Sequence, residues 1–531
     1  MNFFKGRTRF VFKAFQLSFM LAAVSANEAS QASSADKITV LVIDQGIDFE
    51  SSNLKNVKHS IISEAGGHPN LDDNQDGFSD NISGWNQISN DPYFFPDYIL
   101  ESFTENLQQT KTDLEIYSGI EKRDLSSIQK FHSDKDLQKR IGKLLEYAHG
   151  THVAGVIAQE SQNAGLMHSL NIMDGSLKES GSQTVDLAVN MDAAQKMNPK
   201  EILEIMQDPR PKESQESLFD DKETLKKIAE RRAASTTHFV NQIDKYLKGV
   251  SPRVVNMSFG MSFLQVVEQL LQVWNLELKD RNLPENTEMS PLQRTHLVWL
   301  AQTIFTHAKK EWTRVLLQNP RILFIAAAGN EGQDNETELG NLDIYDAVPA
   351  SLAEFLPNLV TVVATGPENK IADFSSHSKK RTTLGAPGVA IPSNAPAGLS
   401  VAMSGTSMAA PYVTGLATKT FEINPKLLPA QVKSLMSRAV MLSPSLKEKT
   451  ASGGVIHKET LLRWAQRTKT ESFEKVILNA KPVDSVFGRS EKILILNPFD
   501  HERSLEDTSA FETPDLVKKM LKNLGRAFSL R

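Results

Sequence analysis

Four side chains in this sequence have the types and settings needed to cut an acyl bond together. Ser407 sits in Ser404-Gly405-Thr406-Ser407-Met408-Ala409-Ala410-Pro411. Gly405 permits a tight approach, Thr406 is suited to cap a helix, and the small residues after Ser407 let that helix start against a sheet with the hydroxyl at its positive end. Pro411 then falls at the edge of the first turn, where a missing N–H costs least. Backbone N–H groups at such a place stabilise an oxyanion, but a serine hydroxyl is a weak nucleophile without a base. The base on offer is His149, in His149-Gly150-Thr151-His152-Val153-Ala154-Gly155, where small residues again predict the start of a closely packed helix. Asp44, ending the apolar run Ile38–Ile43, is suited to fix the tautomer of that imidazole and to stabilise its cation. Asn330, in Ala326-Ala327-Ala328-Gly329-Asn330-Glu331-Gly332, offers an amide donor just after a strand.

These groups need a scaffold that brings strand ends together. Ile38–Ile43 is an unbroken, β-branched run that reads as a strand buried on both faces, and similar runs recur at Val254–Phe259, Ile322–Ala328 and Leu359–Ala364. Between them, helical spacing appears, as in Leu225, Ile228, Phe239, Ile243 and Leu247 leading to a stop at Gly249. The alternation predicts an α/β fold, a doubly wound and mainly parallel sheet with helices on both faces, whose ligands bind beyond the carboxyl ends of the strands. Asp44 falls there. Three stretches, near 87–146, 172–248 and 262–318, read as large helical insertions laid on the surface of the core, the second interrupted by the polar linker Pro209-Arg210-Pro211. Residues 467–531 read as a C-terminal extension, with a last amphipathic helix suggested by Leu516, Met520 and Leu524.

The chain has 531 residues, 40% hydrophobic and 23% charged, with 28 Gly and 23 Pro, which excludes a disordered, collagenous or coiled-coil protein. Its formal charge of −5 lacks the basic footprint of a nucleic-acid binder. Lys5, Arg7, Arg9 and Lys13, the apolar stretch Ala14–Val24 and the triplet Val24-Ser25-Ala26 predict a secretory signal peptide, residues 1–26, and hence export to a periplasm or the exterior. No later segment is long and apolar enough to span a membrane. Cysteine is absent, so disulfides, thiolate metal sites and a cysteine nucleophile are excluded.

With the order Asp44, His149, Asn330, Ser407, the sequence resembles the subtilisin-like serine endopeptidases, the subtilase family, whose acid, base and nucleophile follow in that order. Val255-Asn256-Met257-Ser258-Phe259-Gly260 is similar to the family's substrate-binding strand, and Pro349-Ala350-Ser351, Phe374-Ser375 and Ala386-Pro387-Gly388 are further matches. The resemblance covers a catalytic domain at 38–466, interrupted by the insertions. It implies that Ser407 attacks a scissile carbonyl, His149 moves the proton, Asp44 orients His149, and Asn330 with the Ser407 N–H holds the oxyanion. It implies also that Ser258, Phe259 and Gly260 bind substrate backbone, that polypeptides are the partners, and that no cofactor is required. Gln45 and Ala148 depart from the family's usual residues, yet neither replaces a reacting group. The intervals from Asp44 to His149 and from His149 to Asn330 are much longer than in compact members. Residues 27–37 are too short for the folded inhibitory prodomain of many secreted relatives, so an insertion is expected to assist folding or restrain activity.

Other readings stand beside this one. A non-enzyme alternative is a catalytically silent subtilase-like binding scaffold; an esterase of another fold is disfavoured because Gly405-Thr406-Ser407-Met408-Ala409 lacks the second glycine of G-x-S-x-G. His152 is expected to be packed or hydrogen-bonded, and the His149/His152 pair lacks the further ligands zinc needs. Asp72, Asn74, Asp76, Gly77 and Asp80 form D-x-N-x-D-G-x-x-D, which reads either as an acidic surface turn or as half of a calcium loop holding a structural ion, with Ser83 where an EF-hand has glutamate. The sequence indicates no oligomeric state.

Overall fold

Val40 and Val42 face one way along the first strand and Leu41 and Ile43 the other, each packing into a different core. Leu323 and Ile325 against Phe324 and Ala326 repeat the division. Strands buried on both faces need this, and it is why their sequences are apolar without alternation. The computed structural model describes residues 37–163, 165–172, 219–280, 289–332 and 338–483. The expected signal peptide, the Pro209–Pro211 linker with the rest of 173–218, and the helix expected at Leu516–Leu524 lie outside the described residues.

Thirteen strands are present among the described residues: β1 (Ile38–Asp44), β2 (Gly84–Asn86), β3 (Gly165–Asn171), β4 (Val254–Met257), β5 (Met261–Ser262), β6 (Leu323–Ala327), β7 (Ala347–Val348), β8 (Leu359–Thr365), β9 (Leu384–Pro387), β10 (Ile391–Ala395), β11 (Leu399–Met403), β12 (Val440–Leu442) and β13 (Gly454–Ile456). Nine form one sheet in the order β12-β13-β9-β8-β6-β4-β1-β3-β2, parallel throughout except for β12 at one edge. The chain runs from β1 outward to β3 and β2, then returns to β4 on the other side of β1. That reversal opens a crevice at the carboxyl ends of β1 and β4, and Asp44 ends β1. The doubly wound sheet expected from the sequence is the fold observed. β10 and β11 form a separate hairpin that leads into Ser407.

The insertions are built into the cores. From the first, Phe103, Leu114, Ile120 and Ile141 are buried in the same cluster as Val42 and Val362. From the second and third, the helices Lys222–Val250 and Pro291–Gln318 bury Ile243, Tyr246, Leu297 and Trp312 on the opposite face. Each such side chain contributes about 1.5–3 kcal/mol by leaving water, more than a helix merely resting on the surface would gain. The helix expected to stop at Gly249 runs to Val250 and is closed by Ser251 at φ +48°. Gly249 is there for another reason: a Cβ on it would come within 2.7 Å of Asp76. The C-terminal extension starts as part of the fold, since Val476 is buried and Val483 pairs with Met441.

Candidate active site

β1 is pinned at its end: Asp44 pairs with Asn171 of β3, and the Ile172 N–H donates to Asp44 O at 2.9 Å. The side chain of Asp44 is therefore fixed and almost wholly buried, at 1% exposure. Its Oδ1 accepts the Gln45 N–H at 2.9 Å and lies 2.7 Å from Nδ1 of His149. A neutral imidazole donating from Nδ1 carries its lone pair on Nε2, the state a general base requires. Gly150 makes the approach possible, because a Cβ there would sit 2.1 Å from Gly46 O and 3.2 Å from Asp44 Oδ1.

His149 does not begin a helix as the sequence predicts. It lies in the middle of the helix Lys135–Ser161, which Asp134 caps by accepting the Leu137 N–H at 2.9 Å. The segment expected to be the first insertion, near 87–146, thus runs directly into the helix that carries His149. His152, one turn further, donates from Nε2 to Ile391 O at 2.9 Å, and burial pushes its pKa down to about 3. It is a neutral packing residue that fastens the helix to β10, assisted by the Ser393 hydroxyl donating to His152 O at 2.7 Å.

Ser407 is the second residue of the helix Thr406–Ile423, for which Gly405 and not Thr406 is the cap. The Thr406 hydroxyl has a different task, donating to Asn330 Oδ1 at 3.0 Å while accepting the Gly329 N–H at 3.1 Å. The Thr406 N–H also donates to Asn330 Oδ1, at 2.9 Å. With its oxygen held twice, the Asn330 amide turns Nδ2 toward the serine: a Cβ on Gly405 would be 3.7 Å from Asn330 Nδ2 and 3.6 Å from the Ser407 N. Two N–H donors thus flank one small space, and glycine at 405 keeps it open.

Pro411 lies inside the serine helix, in its second turn, just past the expected edge of the first turn. Its missing N–H leaves the carbonyl of Ser407 without the usual helical donor. Ser258 supplies one, its hydroxyl donating to Ser407 O at 2.9 Å, while the Ser407 hydroxyl donates to Ser258 O at 3.1 Å. Asn256 orients Ser258, donating to its Oγ at 2.9 Å and accepting the Thr414 hydroxyl at 2.9 Å. Ser258 is buried, Phe259 half-buried and Gly260 exposed, so the stretch between β4 and β5 leads from Ser407 out to the surface.

A second brace escapes the sequence reading. Asp48 Oδ2 accepts the Ser51 hydroxyl and the Ala397 N–H, both at 2.9 Å, tying the loop after Asp44 to the turn between β10 and β11. The D-x-N-x-D-G-x-x-D loop folds on its own carboxylates: Asp72 accepts the N–H groups of Asp76 and Gly77, and Asp76 that of Phe78. Glu64 joins it, accepting from the N–H groups of Asn74 and Asp80. Among the described residues no three His, Asp or Glu side chains stand grouped to hold a metal.

The profile of the subtilase family matches residues 35–459. Subtilisin-like protease 3 of Plasmodium falciparum (isolate 3D7) is 30% identical over 156 residues, 28% of this chain and 20% of that protein. Subtilisin of Bacillus pumilus is 37% identical over 125 residues, 23% of this chain and 42% of that protein. The matched stretches thus span less than half the length of these curated relatives. Among solved structures, the A-subunit of the AB5 toxin from E. coli aligns at 15% identity with a TM-score of 0.39, over 81% of this chain and 92% of the other.

Proposed function

From the premise that this chain belongs to the subtilase family, we propose that it is a serine endopeptidase with Ser407 as nucleophile, His149 as general base and acid, and Asp44 as the orienting carboxylate. The 2.7 Å contact between Nδ1 of His149 and Oδ1 of Asp44 carries the reading, because it joins residues from distant parts of the chain at the crevice of the sheet. For attack, the Ser407 hydroxyl exchanges Ser258 O for Nε2 of His149, which takes the proton as Oγ bonds to the scissile carbonyl carbon and later returns it to the leaving amine. The oxyanion that forms is held by Asn330 Nδ2 and the Ser407 N–H. One such side-chain donor contributes about 3–4 kcal/mol to the transition state. A polypeptide substrate lies along Ser258–Gly260 as an added strand, an arrangement that favours backbone over sequence.

Labelling with a fluorophosphonate probe tests the assignment: wild type is expected to form a stable phosphonyl adduct on Ser407 and to hydrolyse an unstructured peptide. A folded wild-type protein inert to both would favour the silent binding scaffold.

Two further properties are part of the reading. Export is supported by Lys5 to Lys13 and Val24-Ser25-Ala26, and the exported protein is expected to start at Asn27; a mature protein retaining Met1 would count against it. A structural calcium ion on Asp72, Asn74, Asp76 and Asp80 is supported by the D-x-N-x-D-G-x-x-D spacing alone, and binding would require these side chains to give up the backbone N–H groups they now accept and draw together around the ion. Calcium is expected to raise the thermal midpoint of wild type by several degrees, about 1–2 kcal/mol in stability, and not that of Asp76→Ala. A chelator without effect on wild type would leave the loop an acidic turn.

A further inference from the structure

The first insertion reaches the strand that delivers the nucleophile. Its helix Leu107–Glu121 presents Ser118 and Glu121 in the last turn. Ser118 Oγ accepts the N–H of Ala402, in β11, at 3.0 Å, and Glu121 Oε2 accepts the hydroxyl of Ser404. The other carboxylate oxygen of Glu121 accepts the Tyr117 hydroxyl. Burial pushes the Glu121 carboxyl up from its usual range, the hydrogen bonds from Ser404 and Tyr117 opposing it. A carboxylate in such a setting is held by hydrogen bonds instead of by an ion pair.

Ser404 has one proton. Spending it on Glu121 aims a lone pair elsewhere, and Ser404 Oγ accepts the Ala390 N–H at 2.8 Å. Ala390 has φ +52°, a left-handed conformation disfavoured for a residue with a Cβ, so this turn needs something to hold it. Beside it the Gly405 N–H donates to Gly388 O at 2.8 Å. The strained turn at 388–390 and the segment 404–405 are therefore zipped together, two residues before the nucleophile.

We propose that Glu121 is a positioning residue of the reaction: by taking the only proton of Ser404 it locks the 388–390 turn onto Ser404–Gly405 and so sets where the Ser407 hydroxyl and N–H stand. The inference rests on the peptidase reading above and gives the first insertion a share in turnover. What the site needs from residue 121 is an acceptor at that point.

Full-length wild type, Glu121→Ala, Glu121→Gln and Ser404→Ala are compared for kcat and KM on a soluble peptide, for the rate of fluorophosphonate labelling, and for thermal midpoint. Both alanine variants are expected to lose about tenfold in kcat and in labelling rate with KM within about twofold, since small misplacements of reacting groups cost rate steeply. Glu121→Gln is expected to recover most of the rate, because its amide oxygen can accept from Ser404. Should Glu121→Ala fail to fold, Ser404→Ala and Glu121→Gln decide. Folded alanine variants that label at the wild-type rate, a loss confined to KM, or a glutamine variant no better than alanine would overturn the assignment while leaving the peptidase reading intact. A wild type inert to the probe would overturn both.

Discussion

Ser407→Ala is expected to reduce kcat by about 10⁶-fold, the size that removal of the nucleophile has in subtilisin. The neighbouring hydroxyls are engaged elsewhere: Thr406, next in the chain, donates to Asn330, and Ser258 donates to Ser407 O. The fold is expected to survive. Ser407 O keeps its bond from Ser258, and what disappears is one donor to Ser258 O, a net change of about 1 kcal/mol. Residual hydrolysis over water, from the two oxyanion donors and substrate binding, is expected at about 10³–10⁴-fold. Single-turnover hydrolysis and probe labelling of the purified variant measure it. A variant retaining more than about a hundredth of wild-type turnover would remove Ser407 from the reaction.

Asp44→Asn is expected to cost about 10⁴-fold in kcat. Two donors converge on Oδ1, the Gln45 N–H and Nδ1 of His149. An asparagine that keeps its oxygen there preserves the tautomer but offers the imidazolium no negative charge. One that turns its NH₂ there forces the proton of His149 onto Nε2, where it blocks the base. Either outcome slows proton transfer and leaves KM near wild type, so kcat and KM determined together distinguish it from a general loosening. A loss below about tenfold would take Asp44 out of its orienting role.

How far the sequence discloses this arrangement depends on where the determining contacts lie. β1, β4, β6 and β8 are legible because burial on both faces writes long β-branched runs into the chain. β3 is not, since Gly165–Asn171 contains His168, Ser169 and Asn171, polar residues that are nonetheless buried. β12 and β13 have only three residues each and no pattern to read. The four candidate site residues are legible as types in local motifs, but the caps of their helices are not. Thr406 looks like a helix cap because threonine often is one, and its use on Asn330 depends on a loop 76 residues away. The true start of the histidine helix does have a local signal in Asp134, followed by Asp136 in the first turn. Glu121 has none: its partner is 283 residues distant, and a lone glutamate at a helix end ordinarily means solvent.

The helix that carries His149 runs unbroken for 27 residues, about 40 Å of stiff rod. His149 stands about 21 Å from the first residue of that rod, and along this length Leu137, Ile141, Leu144 and Leu145 are buried in the core. Leverage follows. A pivot of roughly 3° about that first residue would swing the imidazole by about 1 Å, enough to slow a reaction of this kind about a hundredfold. On the proposed mechanism, the core packing of Leu137, Ile141, Leu144 and Leu145 therefore steadies the imidazole from a distance, without touching the substrate.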